Sequence, residues 1–216
     1  MRPLLLDLFC AAGGAAMGYH RAGFEIVGVD IEPQPHYPFA FVRGDALAPP
    51  VDLSRFDAIH ASPPCQAYSE ATSTGRARHP ALIEPVRDLL GASGRPGVIE
   101  NVPPAPLTGP ILCGSMFGLV AGDLELRRHR RFEAIGWEWP ALMTPCGHGQ
   151  RRRVAGVYGG GGEDRRGKRN GGGFTPDAET RRVLMGMPWA SGQEVGEAIP
   201  PAYTEWVGRL LLAELG

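Results

Sequence analysis

An apolar run that stops on a glycine-rich turn, followed closely by a second apolar run that stops on an acid, leaves few folds open to this chain. Leu4 to Phe9 reads as a buried strand, AAGGAAMG (11–18) as a turn leading into a short helix that ends near Ala22, and Glu25 to Asp30 (EIVGVD) as a second strand. Two strands joined by a helix run parallel, and a parallel sheet has to be covered on both faces. Prolines 33, 35 and 38 argue against a long crossover helix after the second strand. Phe41 to Asp45 is therefore expected as a third strand after an irregular link, and Phe56 to Ala61 as a fourth. His79 to Leu90 has helical spacing, and Gly97 to Val102 (GVIENV) is a fifth strand. The expected class is α/β, with a mostly parallel sheet between helical or irregular layers.

A length of 216 residues, 43% of them hydrophobic, suffices for one such domain and a small appended lobe. The net charge of −1 hides two opposed parts: from Arg127 to Arg182 there are 13 Lys/Arg against 6 Asp/Glu, and elsewhere 9 against 17. The basic charge is therefore concentrated in one segment. Cysteines 10, 65, 113 and 146 form no CxxC pair, so neither a disulfide framework nor a standard zinc knuckle is indicated. Asp7 interrupts the N-terminal apolar run, and no run reaches membrane-spanning length. The expectation is a cytoplasmic monomer without a membrane partner.

Ligands of open parallel sheets sit at the carboxyl ends of the strands. Gly13 and Gly14 permit close approach there, Asp30 is placed to grip ribose hydroxyls, and Asp45 to accept from an adenine amino group. The turn lacks the GxGxxG of a dinucleotide site, which favours an adenosine cofactor without a pyrophosphate; S-adenosylmethionine is the commonest. In ASPPCQAYS (61–69) the two prolines hold the backbone extended and aim the Cys65 thiol off the sheet edge, where a thiolate can act as nucleophile. Glu100 ends the fifth strand at the same edge. In LRRHRRFE (126–133), read as a strand, Arg128 and Arg130 share one face and can clamp a phosphate or a base carbonyl.

Taken together, these stretches resemble the cytosine-C5 DNA methyltransferases. DLFCAAGG is similar to that family's first motif, SPPCQAYS to its nucleophile loop, ENV to its glutamate motif, RRHRR to its paired-arginine motif and GEAIPP to its last motif, in the family's order. The resemblance implies a Rossmann-like S-adenosylmethionine-dependent sheet with a small irregular target-recognition lobe. It implies Cys65 as nucleophile at cytosine C6, Glu100 at N3, and Arg128 and Arg130 orienting the base, which is flipped out of duplex DNA. It places the cofactor against Asp7, Phe9, Gly13, Gly14, Asp30, Ile31, Asp45, Pro64 and Ala198. Leu126 stands where the family usually has glutamine, and Glu197 where it has asparagine.

The reading divides the chain into a catalytic domain (1–136), a reduced recognition lobe (137–176) and C-terminal helices (177–216), with a helix near Glu179 to Met185 and another over Ala202 to Leu215. DNA contacts are expected from Gln66 and Ser69 on the nucleophile loop and from Arg151, Arg152, Arg153, Arg165, Arg166, Lys168 and Arg169. So short a lobe predicts a short or relaxed recognition sequence, and the size resembles compact bacteriophage enzymes; whether a restriction endonuclease accompanies it stays open. Cys146-Gly147-His148, with His129 or His60, matches no standard zinc spacing, so no metal is expected and Cys146 reads as a loop cysteine. Trp137, Trp139 and Trp189 serve either to stack on bases or to pin the lobe to the sheet. Two alternatives remain: the same chemistry on RNA or a free cytosine nucleotide, and a DNA-binding relative without turnover.

Overall fold

A computed structural model of the chain describes residues 1–69, 79–140, 144–148, 152–157 and 174–216. The first parallel unit forms as its pattern dictates: β1 (Leu4–Leu8), α1 (Gly14–Ala22) and β2 (Glu25–Asp30). β3 (Ala40–Arg43) follows the proline-rich link, and β4 (Ala58–Ala61), α2 (Ile83–Ser93) and β5 (Gly97–Asn101) complete the parallel part. The chain then folds β6 (Ile111–Leu112), β7 (Val120–Ala121), β8 (Leu124–Leu126), β9 (Arg130–Ile135) and β10 (Arg153–Ala155), and closes with α3 (Ala178–Met185), α4 (Glu194–Glu197) and α5 (Pro201–Leu215).

The main sheet has the order β3-β2-β1-β4-β5-β9-β6, parallel from β3 to β5 and antiparallel where β9 meets β5 and β6. The strand order reverses at β1, so the crevice between the ends of β1 and β4 is the switch point at which such sheets bind ligands. Alternation along β1 sorts its side chains between the two layers. Leu5 packs with Tyr19, Phe24, Tyr203, Val207 and Leu211 under α1 and α5, while Leu6 and Leu8 pack with Ile59, Ile83, Val86, Leu90 and Ile99 under α2. α1 and α5 approach closely because Gly18 lies against Thr204 and Pro201. On the far side a bidentate pair, Arg87 Nε to Glu133 Oε1 at 2.7 Å and Nη2 to Oε2 at 3.1 Å, ties α2 to β9.

A second sheet, β10-β8-β7, packs Leu124, Leu126 and Ala155 on Leu184, Met185 and Met187 at α3. This small sheet draws on residues 120–126 as well as on the stretch after 137. Trp137 donates its indole N–H to Gly97 O at 2.8 Å, and Trp189 donates to Ala12 O at 2.8 Å, while Trp139 stacks on Trp206. All three tryptophans are therefore engaged in joining segments of the chain.

Candidate active site

The loop after β4 carries the Cys65 thiol. Its backbone is held from both ends: the buried Asn101 side chain donates to Pro63 O at 2.8 Å, and the N–H groups of Tyr68 and Ser69 both donate to Cys65 O at 2.9 Å. Pro63 is buried, Pro64 is exposed and Cys65 is half-buried, so the double proline turns the chain outward as its stiffness predicts. Asn101, immediately after Glu100, thus locks the nucleophile loop to the strand that bears the acid.

Glu100 is buried, and Arg130 Nε lies 3.0 Å from its Oε1. This is an ion pair by distance without an aligned hydrogen bond, and that carboxylate oxygen has no other partner. Burial raises the carboxyl above its ordinary range, against the opposing charges of Arg130 and Arg128 and a hydrogen bond from Ser62. Two paired guanidiniums and a desolvated acid are the setting in which a carboxyl group can share a proton with a ligand.

Sequence reasoning missed a chain of groups behind Glu100. Tyr19 OH lies 3.0 Å from His60 Nδ1, and His60 Nε2 lies 2.7 Å from Ser62 Oγ, with Ser62 near enough to Glu100 to favour its charged form. Burial pushes His60 down to about 3, so the imidazole is neutral at physiological pH. A neutral ring donates from one nitrogen only. With Tyr19 donating to Nδ1, Nε2 donates to Ser62 Oγ and leaves the Ser62 hydroxyl proton free to turn toward Glu100. His60 had drawn notice only as a metal ligand; nothing in its spacing betrays that Tyr19, on α1, lies against it.

Arg128 and Arg130 do not lie on one strand. β9 begins at Arg130, and Arg128 sits in the link from β8. Burial, and after it the charge of nearby Arg130, lowers Arg128 to about 9, so the two guanidiniums are nonetheless close. Arg128 is buried and donates to the carbonyls of Val157 and, at 3.0 Å, Gly196, while Tyr203 OH donates to the Arg128 carbonyl; among the described residues the Arg128 Nε has no partner. Much of the Arg128 fork is spent on joining the second sheet and the C-terminal segment to the site.

At the other end of the crevice, Asp30 Oδ2 accepts from Ala11 N–H and Oδ1 from Glu32 N–H, each at 3.0 Å. Phe9 and Ala11 adopt positive φ of 57° and 43°, a strained turn for non-glycine residues that brings these amides to the edge. Ile31 projects its side chain 61% exposed beside them, and Asp45, also exposed, holds Leu47 N–H at 2.9 Å.

Four of the expected cofactor contacts, Asp7, Gly13, Gly14 and Ala198, are buried. Asp7 is 1% exposed and lies beneath Tyr37, whose hydroxyl is 3.4 Å from Oδ2, so it is closed to a cofactor. A Cβ on Gly13 would lie 2.8 Å from Pro38, and one on Gly14 would collide with Ile199 O, so neighbouring chain already requires glycine at both positions. Ala198 is likewise buried against Gly14. Phe9 is half-buried and packs with the α2-side core.

Of the expected DNA contacts, Arg151, Arg165, Arg166, Lys168 and Arg169 lie outside the described residues. Gln66 is exposed and Ser69 half-buried. Arg152 and Arg153 are exposed, the first donating to Gly122 O at 3.0 Å and the second 3.4 Å from Asp123 and over the Phe174 ring. Among the described residues no helix is long and apolar enough to cross a membrane.

The family described as C-5 cytosine-specific DNA methylase matches residues 4–82, a stretch that contains both the β1 turn and the Cys65 loop. The chain is also 31% identical over 155 residues to the type II methyltransferase M1.HphI of Haemophilus parahaemolyticus. Over residues 4–82 the chain is thus similar to the C-5 cytosine-specific DNA methylases. That alignment takes in 62% of this chain and 38% of M1.HphI, so the chain spans well under half the length of the curated relative it matches. In fold it is similar to the Entamoeba histolytica methyltransferase EhMeth, with a TM-score of 0.62 at 11% identity over 100% of this chain and 99% of that one. It is also similar to a putative DNA modification methyltransferase encoded within an Escherichia coli prophage, with a TM-score of 0.60 at 13% identity over 99% of each chain. These two likenesses establish a methyltransferase-type α/β sheet.

Proposed function

We propose that the chain transfers a methyl group from S-adenosylmethionine to C5 of a cytosine flipped out of duplex DNA. The observation that carries this reading is the meeting of Glu100 and Arg130 at 3.0 Å on the strand that Asn101 ties to the Cys65 loop. The residues at the switch point fit the cofactor: an oriented carboxylate at Asp30 for ribose hydroxyls, an exposed Ile31 side chain for the adenine face, and Asp45 for its amino group. Bound there, S-adenosylmethionine supplies an electrophilic methyl group.

The Cys65 thiolate adds to C6 of the ring and converts it to an enamine with carbanion character at C5. Glu100, raised by burial and backed by Ser62, shares a proton with N3 and takes up the charge that develops on the ring. Arg130 faces both Glu100 and the base, and Arg128 contributes positive charge from behind while bracing the wall. After methylation a base removes the C5 proton and the C6–sulfur bond breaks, which returns Cys65 as thiolate. A base within a stacked duplex cannot reach a half-buried thiol on a sheet edge, so the cytosine is extruded into the site. The basic segment from Arg127 to Arg182 supplies phosphate contacts.

Transfer of radiolabelled methyl groups to duplex DNA, with RNA and free cytosine nucleotides as parallel substrates, tests the reading. We expect label in duplex DNA, its loss in Cys65→Ala, and a denaturation-resistant adduct with a 5-fluorocytosine duplex, in which fluorine blocks the final elimination. Label in RNA alone or in nucleotides alone would refute the DNA reading, and label in none would point to a binding protein.

A further inference from the structure

Beside the arginine segment, side chains from three separate stretches converge. Cys113 follows β6, His129 stands between Arg128 and Arg130, and Cys146 and His148 come from the stretch 144–148. One ligand atom from each lies within 4.8 Å of all the others. Cys113 Sγ is 3.3 Å from His148 Nε2, and His129 Nε2 is 3.3 Å from Cys146 Sγ. A tetrahedral zinc ion, with bonds of about 2.3 Å to sulfur and about 2.0 Å to nitrogen, sets its S···N edges at about 3.5 Å. Two separate thiol–imidazole hydrogen bonds would account for two short distances, but not for all four ligand atoms gathering within 4.8 Å of one another.

We infer that Cys113, His129, Cys146 and His148 bind one Zn²⁺ ion in a closed tetrahedral site. Two thiolates and two imidazoles are the donor set that zinc takes among common divalent ions, and four protein ligands leave no open position, so the site is structural. The surroundings suit the role. Ser115 Oγ donates to Cys113 Sγ at 3.3 Å, an outer-shell hydrogen bond of the kind that orients a metal-bound thiolate. The expectation that Cys146 is a plain loop cysteine is thereby revised. His60, the other histidine considered from sequence, belongs to the chain behind Glu100, and Cys113 takes its place.

The consequence for the molecule lies in where His129 sits. A metal gripping it fixes the backbone between Arg128 and Arg130 and clamps the 144–148 stretch and the β6 end onto the same point. This inference stands on ligand geometry and holds whether or not the chain methylates DNA.

The test is metal analysis of the full chain expressed in zinc-supplemented medium and purified under reducing conditions, by plasma mass spectrometry, with Co²⁺ substitution of the stripped protein. We expect one zinc per chain and a cobalt spectrum with thiolate charge-transfer and intense tetrahedral d–d bands. Stoichiometric metal and these bands should be lost in Cys146→Ser and His148→Ala and kept in Cys65→Ser. Wild-type protein with no stoichiometric metal and no cobalt bands would overturn the inference without recourse to a variant. So would retention of zinc by the Cys146→Ser/His148→Ala double variant, or a native Cys113–Cys146 disulfide found by mass spectrometry.

Discussion

Replacing Asp7 with asparagine should make the protein more stable, and increasingly so as the pH rises. Asp7 points from the middle of β1 into the layer under α1, with one carboxylate oxygen near Tyr37 and the other without any partner. Burial is the main cause that lifts it from 3.8 to about 8; the Tyr37 hydrogen bond opposes this and the charge of Asp30 adds to it. Because the folded value lies above the unfolded one, the native state keeps a proton that the unfolded chain releases as pH passes about 4. Wild-type stability therefore falls across the window from about 4 to about 8 and levels off beyond it. At about 1.4 kcal/mol for each pH unit separating the two values, the ceiling is on the order of 5 kcal/mol. Relaxation and water entry around a buried charge reduce this to about 2–3 kcal/mol. For a chain of this size that is about 5–10 °C in Tm. Thermal melts of both proteins from pH 4 to pH 9 should show a gap that is small at the acid end and widens towards about pH 8. A gap that stays constant or narrows with pH would refute the reasoning. Since Asp7 is closed off by Tyr37, titration calorimetry should find S-adenosylmethionine binding intact in Asp7→Asn, whereas a direct cofactor contact would abolish it.

Glu100→Gln should slow methyl transfer by about 10²- to 10⁴-fold, the usual worth of a positioned acid. Intact turnover in this variant would contradict the role given to Glu100. Gly18→Ala should cost about 2 kcal/mol, seen as a drop of about 4–8 °C in Tm, because the added methyl collides with Thr204 and Pro201 and lies 2.7 Å from Glu205 N where α1 crosses α5. A rise in Tm, as helix propensity alone would give, would show that the two helices can separate freely.

The local pattern of the chain determined the alternation of parallel strands and helices, their boundaries to within a few residues, and the residue types gathered at the sheet edge. β2 runs from Glu25 to Asp30 as read, and the Cys65 loop and Glu100 emerge at the same edge, because strand period and proline stiffness act over a few residues and are visible in any short window. Contacts between distant residues leave no such trace. The packing of Tyr37 on Asp7 and Gly13, the run of hydrogen bonds from Tyr19 through His60 to Ser62, and the spending of the Arg128 fork on Val157 and Gly196 join positions that no periodicity relates. The same holds for Cys113, His129, Cys146 and His148, whose spacing fits no metal motif until the β6 end, the arginine link and the 144–148 stretch are folded together. Sequence set which chemistry the chain carries; only the tertiary structure decided which side chains face one another, because distances of a few ångströms between remote residues are products of packing.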